Sequence, residues 1–387
     1  MESYLDYQAA KPVDQRVLET MLPFFTEKFG NPATIYDSGN EALRAMDRAR
    51  EAVAGLINAD PGEILFTSGA TESNNLALLG YAQRNRANGL HIMISAVEHI
   101  SILNLAKQLK KSGFEVTELP VDSFGAVRLD KLREGLTDST ILVSVQYANN
   151  EVGSIQPVAE IGRLCRERGI AFHSDAVAAQ GLLAIDVKRE QIDLMTLSSN
   201  DIYGPKGMGA LYVRKGIKVK PVLIGGGQER GLRSGSENIA GMVGMARAAE
   251  IMRQEMPQEA KRLQEFRNRL IRDILDTIPD SHLNGHPETR LPNNVNVRFD
   301  GIEGEAMLLS LKQKGIAAAT GSACSSKTLE PSHTLIAMGL RHEQAHGSLE
   351  LTVGRFTQGK DIEAVLEALP AVVDRLRRMS PLYNRTG

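Results

Sequence analysis

Apolar positions along the chain follow two alternating periodicities. In the segment 39–57, apolar residues recur every three or four positions, at Ala42, Ala45, Ala49 and Val53, which predicts a helix with one buried face. Short apolar or β-branched runs then occur at 91–97, 114–121, 141–148, 170–176, 193–198 and 209–214, with helical patterns such as 157–169 between them. This alternation predicts an α/β fold in which helices cover both faces of a mostly parallel sheet. Ligands of such sheets bind at the carboxyl ends of the strands.

The pattern changes near residue 257. Pro257 precedes apolar positions at helical spacing, which predicts that a long amphipathic helix begins there. A strand-like run, a helix from about Glu303, a loop rich in small residues and a last helix from about Asp361 follow. We therefore predict a large domain over residues 15–256 and a small α/β domain formed by residues 1–14 and 257–387, which carries that loop.

Composition and charge narrow the possible partners. The chain of 387 residues is 42% hydrophobic and 24% charged, and its formal net charge of −2 gives no electrostatic reason to expect nucleic acid or an anionic membrane surface. Two cysteines argue against a disulfide scaffold and fit a reducing cytoplasm. The N-terminus lacks a basic start followed by an apolar run, and no stretch approaches about 18 uninterrupted apolar residues. We expect a cytoplasmic protein without signal peptide or membrane span.

The segment FTSGATESNN, residues 66–75, lies between an apolar strand pattern and an apolar helical pattern. A turn of small residues at a helix start presents several backbone N–H groups to an anion, and Thr71 adds a hydroxyl. This favours a phosphate site. A plain strand-to-helix connection, capped by Thr71 or Ser73, explains the same residues equally well.

Asp175 and His99 each allow two interpretations. Asp175 of the sequence HSDA ends an apolar strand, where a carboxylate is costly without a partner. In enzymes that use pyridoxal phosphate (PLP), such an aspartate keeps the pyridine nitrogen protonated. A helix cap or structural ion pair is the alternative. His99 in VEHIS either stacks on an aromatic ring or is a packed histidine.

Cys324 and Arg355 are further candidates. Cys324 lies in the glycine-, serine- and alanine-rich loop around GSAC and lacks an apolar periodic setting, which favours a reactive thiol over a core residue. Cys165 lies on a helical pattern and has no such support. Arg355 of GRFT is a candidate bidentate clamp for a substrate carboxylate, or else a surface arginine.

Together, these motifs resemble the cysteine desulfurases of the NifS/IscS type, which are fold-type I PLP-dependent enzymes. The resemblance covers nearly the whole chain, through YLDY, FGNPAT, FTSGATESNN, VEH, ANNEVG, HSDA, YGPKG, GGGQERGLRSGS, GSACSS and GRFT. It implies a homodimer that converts L-cysteine to L-alanine, takes the sulfur on Cys324 as a persulfide and passes it to an iron–sulfur scaffold protein.

The resemblance also implies roles for individual residues. His99 would stack on the PLP ring, Asp175 would contact its nitrogen, and Asn150 would lie near its phenolic oxygen. Arg355 with Asn150 would grip the cysteine substrate. The remaining cofactor contacts would come from Ala70, Thr71, Ser198, Asn200 and, from the second subunit, Ser236.

The chain departs from the family pattern within the active-site segment SSNDIYGPK. The lysine that links covalently to PLP is replaced by Asp201, and the histidine before it by Asn200. Outside this segment, a glutamine is replaced by Ala178, a threonine by Lys11, and an arginine four to five residues before GRFT by Glu350. The histidine of the GNP loop is Tyr36.

Three functions follow from these departures. The first is a cysteine desulfurase whose activity is weak because a carboxylate cannot form an imine and is a poor base at neutral pH. The second is a nearly non-catalytic PLP-fold partner that docks a scaffold and offers Cys324 as persulfide carrier or as a ligand of a shared [2Fe–2S] cluster. The third is a selenocysteine lyase, which the complete Cys324 loop disfavours. We expect PLP to bind non-covalently. The alternative is that Lys11 or Lys206 substitutes for the missing lysine and forms the covalent link.

Overall fold

A computed structural model of the protein describes residues 3–321, 330–381 and 383. Within these ranges, seven strands form the central sheet, in the order β2-β8-β7-β6-β5-β3-β4. The strands are β1 Ser3–Tyr4, β2 Ile64–Thr67, β3 His91–Ser95, β4 Glu115–Leu119, β5 Thr140–Ser144, β6 Ala171–Asp175, β7 Leu194–Ser198, β8 Gly209–Val213, β9 Ser281–Leu283, β10 Asn294–Phe299, β11 Ile316–Ala317 and β12 Ser348–Thr352. Strand β8 runs antiparallel to both of its neighbours, and the other pairs of the central sheet are parallel. The predicted α/β class with a mostly parallel sheet is confirmed.

Helices surround this sheet and the smaller sheets. They are α1 Gln15–Met21, α2 Pro23–Thr26, α3 Asp37–Leu56, α4 Ala70–Asn75, α5 Tyr81–Asn85, α6 Ile100–Lys111, α7 Leu129–Gly135, α8 Val158–Glu167, α9 Ile239–Thr277, α10 Gly304–Lys312, α11 His333–Ala337, α12 His342–His346 and α13 Gly359–Met379. A π-helical turn, Leu76–Gly80, joins α4 to α5. Short 3₁₀ turns occur at Pro61–Glu63, Asn200–Ile202 and Glu229–Gly231. Among the described residues, no helix is both long and apolar enough to cross a membrane.

Four of the five parallel strands are buried along their whole length, whereas the edge strand β4 has exposed positions. All five residues of β3, β5, β6 and β7 are buried, which agrees with sheets covered by helices on both faces, and in β6 this includes His173, Ser174 and Asp175. Strand β6 pairs with β7 so that Asp175 is the partner of Thr196. The sheet therefore places the ends of β6 and β7, and the turns that follow them, at one edge.

A second unit is built on the antiparallel sheet β12-β10-β9. Its apolar core includes Val295, Leu351 and Val365 and is separate from the core of the large sheet. Helix α9 reaches both, because Met252 packs into the first core and Leu263 into the second. The predicted boundary between residues 256 and 257 falls in the middle of this helix.

The prediction that a helix begins at Pro257 is wrong. Helix α9 begins at Ile239, and Pro257 lies in its interior. Proline inside a helix removes a hydrogen bond and costs about 3 kcal/mol. The helix nevertheless continues because it packs against α1, α3 and α13, so tertiary contacts outweigh the local preference.

Candidate active site

A cavity of about 360 Å³ opens at the carboxyl edge of the central sheet. It brings together five of the residues predicted from the sequence: Ala70, His99, Asn150, Asp175 and Asn200. Its other lining residues are Asp6, Gln8, Ala9, Gln146, Ala148, Val177, Ala178, Asp201, Ala319, Thr320 and Glu350. The position of this cavity agrees with the rule that α/β sheets bind ligands beyond the ends of their strands.

Two donors hold the Asp175 carboxylate at the end of β6. Asn74 donates a hydrogen bond from Nδ2 to Asp175 Oδ2 at 2.9 Å, and the backbone N–H of Val177 donates to Oδ1 at 3.0 Å. Asn74 Nδ2 also donates to the hydroxyl of Ser101 at 3.0 Å. Asp175 is thus fixed in orientation while it faces the cavity. Sequence reasoning missed Asn74, because nothing in the local pattern distinguishes a buried polar residue that contacts the site from a solvent-facing one.

The N-terminus of α4 is open to an anion. Gly69 precedes this helix with φ 148°, and no side chain caps the first turn. A Cβ atom at position 209, the first residue of the neighbouring strand β8, would lie 2.7 Å from the Gly69 backbone. Position 209 must therefore be glycine for the turn before α4 to lie this close to β8. Helical backbone continues from Ala70 through residue 85, and the uncapped N–H groups of its first turn provide the donors that a phosphate requires.

Ser198 ends β7 and is held by Gln180. The Gln180 amide donates to the Ser198 carbonyl at 2.7 Å and accepts from the Ser198 N–H at 3.3 Å. Gln180 is 1% exposed and was not singled out in the sequence, because a buried glutamine has no periodic signature. The contact fixes the start of the turn that carries Asp201.

His99 caps α6 with its own ring. The Ser101 N–H donates to His99 Nδ1 at 3.2 Å, and the Ser101 hydroxyl lies 2.8 Å from the same nitrogen. The ring is exposed and lines the cavity. Its orientation is therefore set by a helix cap, and one face remains available to a flat ligand.

Asp201 is buried beside the cavity and interacts with Lys11. Burial raises the pKa of the Asp201 carboxyl, and the Lys11 charge and a hydrogen bond from Ser198 oppose that rise. Lys11 Nζ donates to the backbone carbonyl of Asp201 at 2.6 Å. Burial lowers the pKa of Lys11, and the Asp201 charge partly restores it. The neighbouring Asn200 Oδ1 is buried without a hydrogen-bond partner in the described part of the chain.

The structure does not bring Arg355 to the cavity. Its guanidinium forms ion pairs with Asp14 and, at 2.9 Å, with Glu255, and it lies 5.0 Å from the centroid of the Tyr203 ring. The backbone N–H of Arg355 donates to the Tyr203 hydroxyl. Both terminal nitrogens of this guanidinium are thus paired with acidic residues of the same chain.

Other predicted residues lie apart from the cavity lining. Thr71 and Ser236 are exposed, and Ser198 is buried without lining the cavity. Cys324 lies outside the described residues. Lys206 is exposed and does not line the cavity. Among the residues that the structure describes, no group of three or more histidine, cysteine, aspartate or glutamate residues is arranged to hold a metal ion.

The residues present fit PLP except at the covalent link. The fixed carboxylate of Asp175 suits a protonated ring nitrogen, the exposed ring of His99 suits a flat face, and the open first turn of α4 suits a phosphate. Ala178 gives one wall of the cavity an apolar side chain where the resemblance implies a glutamine. No lysine of the described chain lines this cavity.

Comparisons with known proteins identify the family of this chain. Residues 3–365 match the family described as aminotransferase class-V. The chain is 55% identical to cysteine desulfurase IscS 1 of Archaeoglobus fulgidus over 382 residues, which covers 99% of this chain and 100% of that protein. It is 51% identical to cysteine desulfurase IscS of Methanosarcina thermophila, over 98% of this chain and 94% of that protein. A solved structure of a NifS-like protein superposes with a TM-score of 0.91 at 36% identity and covers 97% of this chain and 100% of its own. The chain therefore belongs to the cysteine desulfurases of the class-V aminotransferase family.

Proposed function

We propose that this protein acts in iron–sulfur cluster assembly as a cysteine desulfurase-family member whose own turnover of L-cysteine is very slow. Its contribution is to carry sulfur on Cys324 as a persulfide to a scaffold protein. The observation that carries the slow turnover is that Asp201, where the resemblance implies the family's lysine, is buried and lines the cavity. A carboxylate cannot link to the cofactor aldehyde, and loss of a matched general base typically costs about 10²–10⁴ in rate.

The residues of this chain would hold PLP without a covalent bond. When bound, PLP supplies an electron sink for reactions at the carbon next to an amine. Asp175 would keep its ring nitrogen protonated, the N-terminus of α4 would bind its phosphate, and His99 would cover one face. Asp201 would lie where a proton must be taken up and returned. Burial raises the pKa of its carboxyl, which makes it a stronger base than an exposed carboxylate.

A spectroscopic experiment tests the binding mode. The protein is loaded with PLP, its absorbance spectrum is recorded, and the sample is then dialysed. We expect the spectrum of a free bound aldehyde and complete loss of the cofactor. Reduction with borohydride before dialysis, followed by peptide mapping, should label no lysine. A label on Lys11 or Lys206 would contradict the non-covalent mode and would name the substitute residue.

A second candidate function is a scaffold partner that offers Cys324 as a direct ligand of a [2Fe–2S] cluster. The observation in its favour is the combination of Asp201 and Glu350 in the cavity lining, which opposes desulfuration while the Cys324 loop keeps the family sequence. Cluster formation on the scaffold, followed anaerobically with the natural chain and Cys324→Ser, separates the two roles. With external sulfide, a loss of cluster yield or stability in Cys324→Ser supports the ligand role. If Cys324→Ser loses cluster yield only when L-cysteine is the sulfur source, the result supports the carrier role.

We also propose that the protein is a homodimer in the cytoplasm. Large apolar side chains are exposed in the segment around α2, including Phe25 at 59% and Phe29 at 75%. This segment forms a shallow pocket with residues 237–240, next to Ser236. An apolar surface beside Ser236 supports the expectation that this residue completes the phosphate site of a second copy. Light scattering gives the oligomeric state, and Phe29→Asp should shift it to the monomer and weaken PLP binding.

A further inference from the structure

Glu350 lies on the wall of the main cavity, at a position where the resemblance implies an arginine. Its backbone is fixed on both sides, because it exchanges hydrogen bonds with Ala319 and pairs with Asn296 of β10. Its side chain is 6% exposed and lines the cavity of about 360 Å³. A carboxyl group therefore stands in place of a cation at a position that a ligand can reach.

Asn294 joins Glu350 to Asn150. Its Nδ2 lies 3.4 Å from Glu350 Oε1 and 3.2 Å from the backbone carbonyl of Asn150. Arg290 donates to Asn294 Oδ1 at 3.1 Å, so the amide is oriented with its nitrogen toward Glu350. Asn150 lines the same cavity, and the resemblance implies that it contacts the substrate carboxylate. Glu350 thus shares this wall with Asn150, whereas Arg355 does not line the cavity.

The surroundings of Glu350 favour its neutral, protonated form. Of the lysines and arginines that the structure describes, Lys107 alone lines either this cavity or the adjacent one of about 410 Å³, and it is exposed. A buried carboxyl group without a cation nearby keeps its proton. Burial accordingly raises the pKa of Glu350 well above its usual range, and Glu151 and Asp6 add to the rise. The remaining titratable groups that line the two cavities are His99, Asp175, Asp201, Glu330 and His333.

The two oxygens of Glu350 have different surroundings. Oε1 accepts from Asn294, and within the described residues no hydrogen bond occupies Oε2. The neutral acid therefore carries its proton on Oε2, which can donate it in a hydrogen bond to a ligand. A hydrogen bond from such a donor to a carboxylate is charge-assisted and about twice as strong as one between neutral groups. An arginine would add a positive charge and a second donor, so the acid holds a carboxylate less firmly than an arginine would.

We propose that Glu350, as a neutral carboxylic acid, binds the carboxylate of the amino-acid substrate by donating a hydrogen bond from Oε2 on the wall that it shares with Asn150. Binding of the carboxylate is then retained at low pH and lost as the pH rises through the pKa of Glu350, because the ionised group cannot donate and repels a second carboxylate. This inference rests on the proposed function, since that function supplies an amino acid as the ligand of the cavity.

The experiment isolates the carboxylate with propionate, which is L-alanine without its amine and does not react with the aldehyde of PLP. Calorimetry measures its affinity for the PLP-loaded protein from pH 6 to pH 10, with propionamide as the uncharged reference ligand. We expect the natural chain to lose at least about tenfold in affinity for propionate over this range, and none for propionamide.

Three variants assign this loss to Glu350. Glu350→Gln keeps a neutral donor at every pH and should remove the pH dependence. Glu350→Leu has no donor and should bind propionate at least about tenfold more weakly than the natural chain at pH 6. Glu367→Gln changes an exposed glutamate on α13 and is the control, which should match the natural chain at each pH.

The outcomes separate this inference from the proposed function. Equal or tighter binding of propionate by Glu350→Leu at pH 6 overturns the inference, and so do identical pH profiles of the natural chain and Glu350→Gln. If a variant does not fold, as judged by circular dichroism, the natural chain decides, because a flat profile for propionate overturns the inference as well. Failure to take up PLP, seen in the absorbance spectrum before titration, instead counts against the proposed function. The same titration of the cofactor-free chain then measures the carboxylate contact by itself.

Discussion

Lys11 Nζ donates a hydrogen bond to the backbone carbonyl of Asp201 at 2.6 Å. The position at which the resemblance implies a lysine is therefore contacted by a lysine from the N-terminal segment. Both residues are buried, and Lys11 also lies 5.4 Å from the centroid of the Tyr203 ring. The contact joins the N-terminal segment to the turn Asn200–Ile202, so Lys11 has a positioning role whether or not a cofactor is present.

The first prediction concerns this contact. Lys11→Thr removes the donor and leaves a buried carbonyl without it, so we expect a loss of about 1–3 kcal/mol in the free energy of unfolding. The pKa of Asp201 should rise further, because Lys11 is the main group that lowers it. Urea unfolding measures the loss. Lys314→Thr, an exposed lysine, should stay within about 0.5 kcal/mol of the natural chain. Equal stabilities of the two variants would show that the contact contributes nothing.

The second prediction concerns the pH dependence of stability. Burial raises the pKa of Glu151 from 4.5 to about 7, so the folded protein keeps a proton that the unfolded chain releases. Over this window the unfolded state binds fewer protons, and stability falls as pH rises, by about 3 kcal/mol in total. Glu151→Gln does not titrate. The difference in unfolding free energy between this variant and the natural chain should therefore grow in favour of the variant from pH 5 to pH 8. Glu367→Gln should run parallel to the natural chain.

How far the sequence predicts this protein depends on which physical signal each residue carries. The strands were predicted because they are short apolar or β-branched runs, and the structure buries all five positions of β6 and β7. The start of α9 was missed because Pro257 is a strong local signal for a helix start, and packing against several helices overrides it. Local patterns therefore predicted elements well and boundaries poorly.

The site shows the same division. Asp175 was predicted because a carboxylate at the end of an apolar strand needs a partner. Asn74 and Gln180, which hold Asp175 and Ser198, carry no local signal, and their contacts join elements far apart in the chain. Glu350 was noticed in the sequence only as a departure from the family pattern, and the structure was needed to show that it lines the cavity.

The third prediction separates two roles for Arg355. The sequence suggested a clamp for a substrate carboxylate, whereas the structure pairs this guanidinium with Asp14 and Glu255. Arg355→Met removes one cation from this cluster and should lower the free energy of unfolding by about 1–3 kcal/mol. The loss stays moderate because Arg16 still pairs with both Asp14 and Glu255. It should leave the affinity of the PLP-loaded protein for L-cysteine unchanged. An affinity loss of about tenfold with unaltered stability would restore the clamp.

The fourth prediction rebuilds the missing anchor. Asp201→Lys with Asn200→His would place an amine where the family has one, but Lys11 would then lie next to it, and two buried ammonium groups repel. We therefore expect this double variant to be unstable or to link PLP poorly. Adding Lys11→Thr, the residue type of the family at that position, removes the second charge. The triple variant should hold PLP through dialysis and should yield a labelled peptide containing position 201 after borohydride reduction.

Catalysis by this triple variant depends on the other departures. With an added thiol that reduces the persulfide, restoring a base next to the cofactor should raise sulfide release from L-cysteine by about 10²–10⁴ over the natural chain. Adding Glu350→Arg, the residue type that the resemblance implies at that position, supplies a positive charge for the substrate carboxylate and should lower KM for L-cysteine, while the same change made with Asp201 in place should bring no turnover. A variant that links PLP covalently and binds L-cysteine, yet releases no more sulfide, would contradict the assignment of slow turnover to Asp201. The cavity wall at Ala178, which lacks the family's polar side chain, would then be the next position to change.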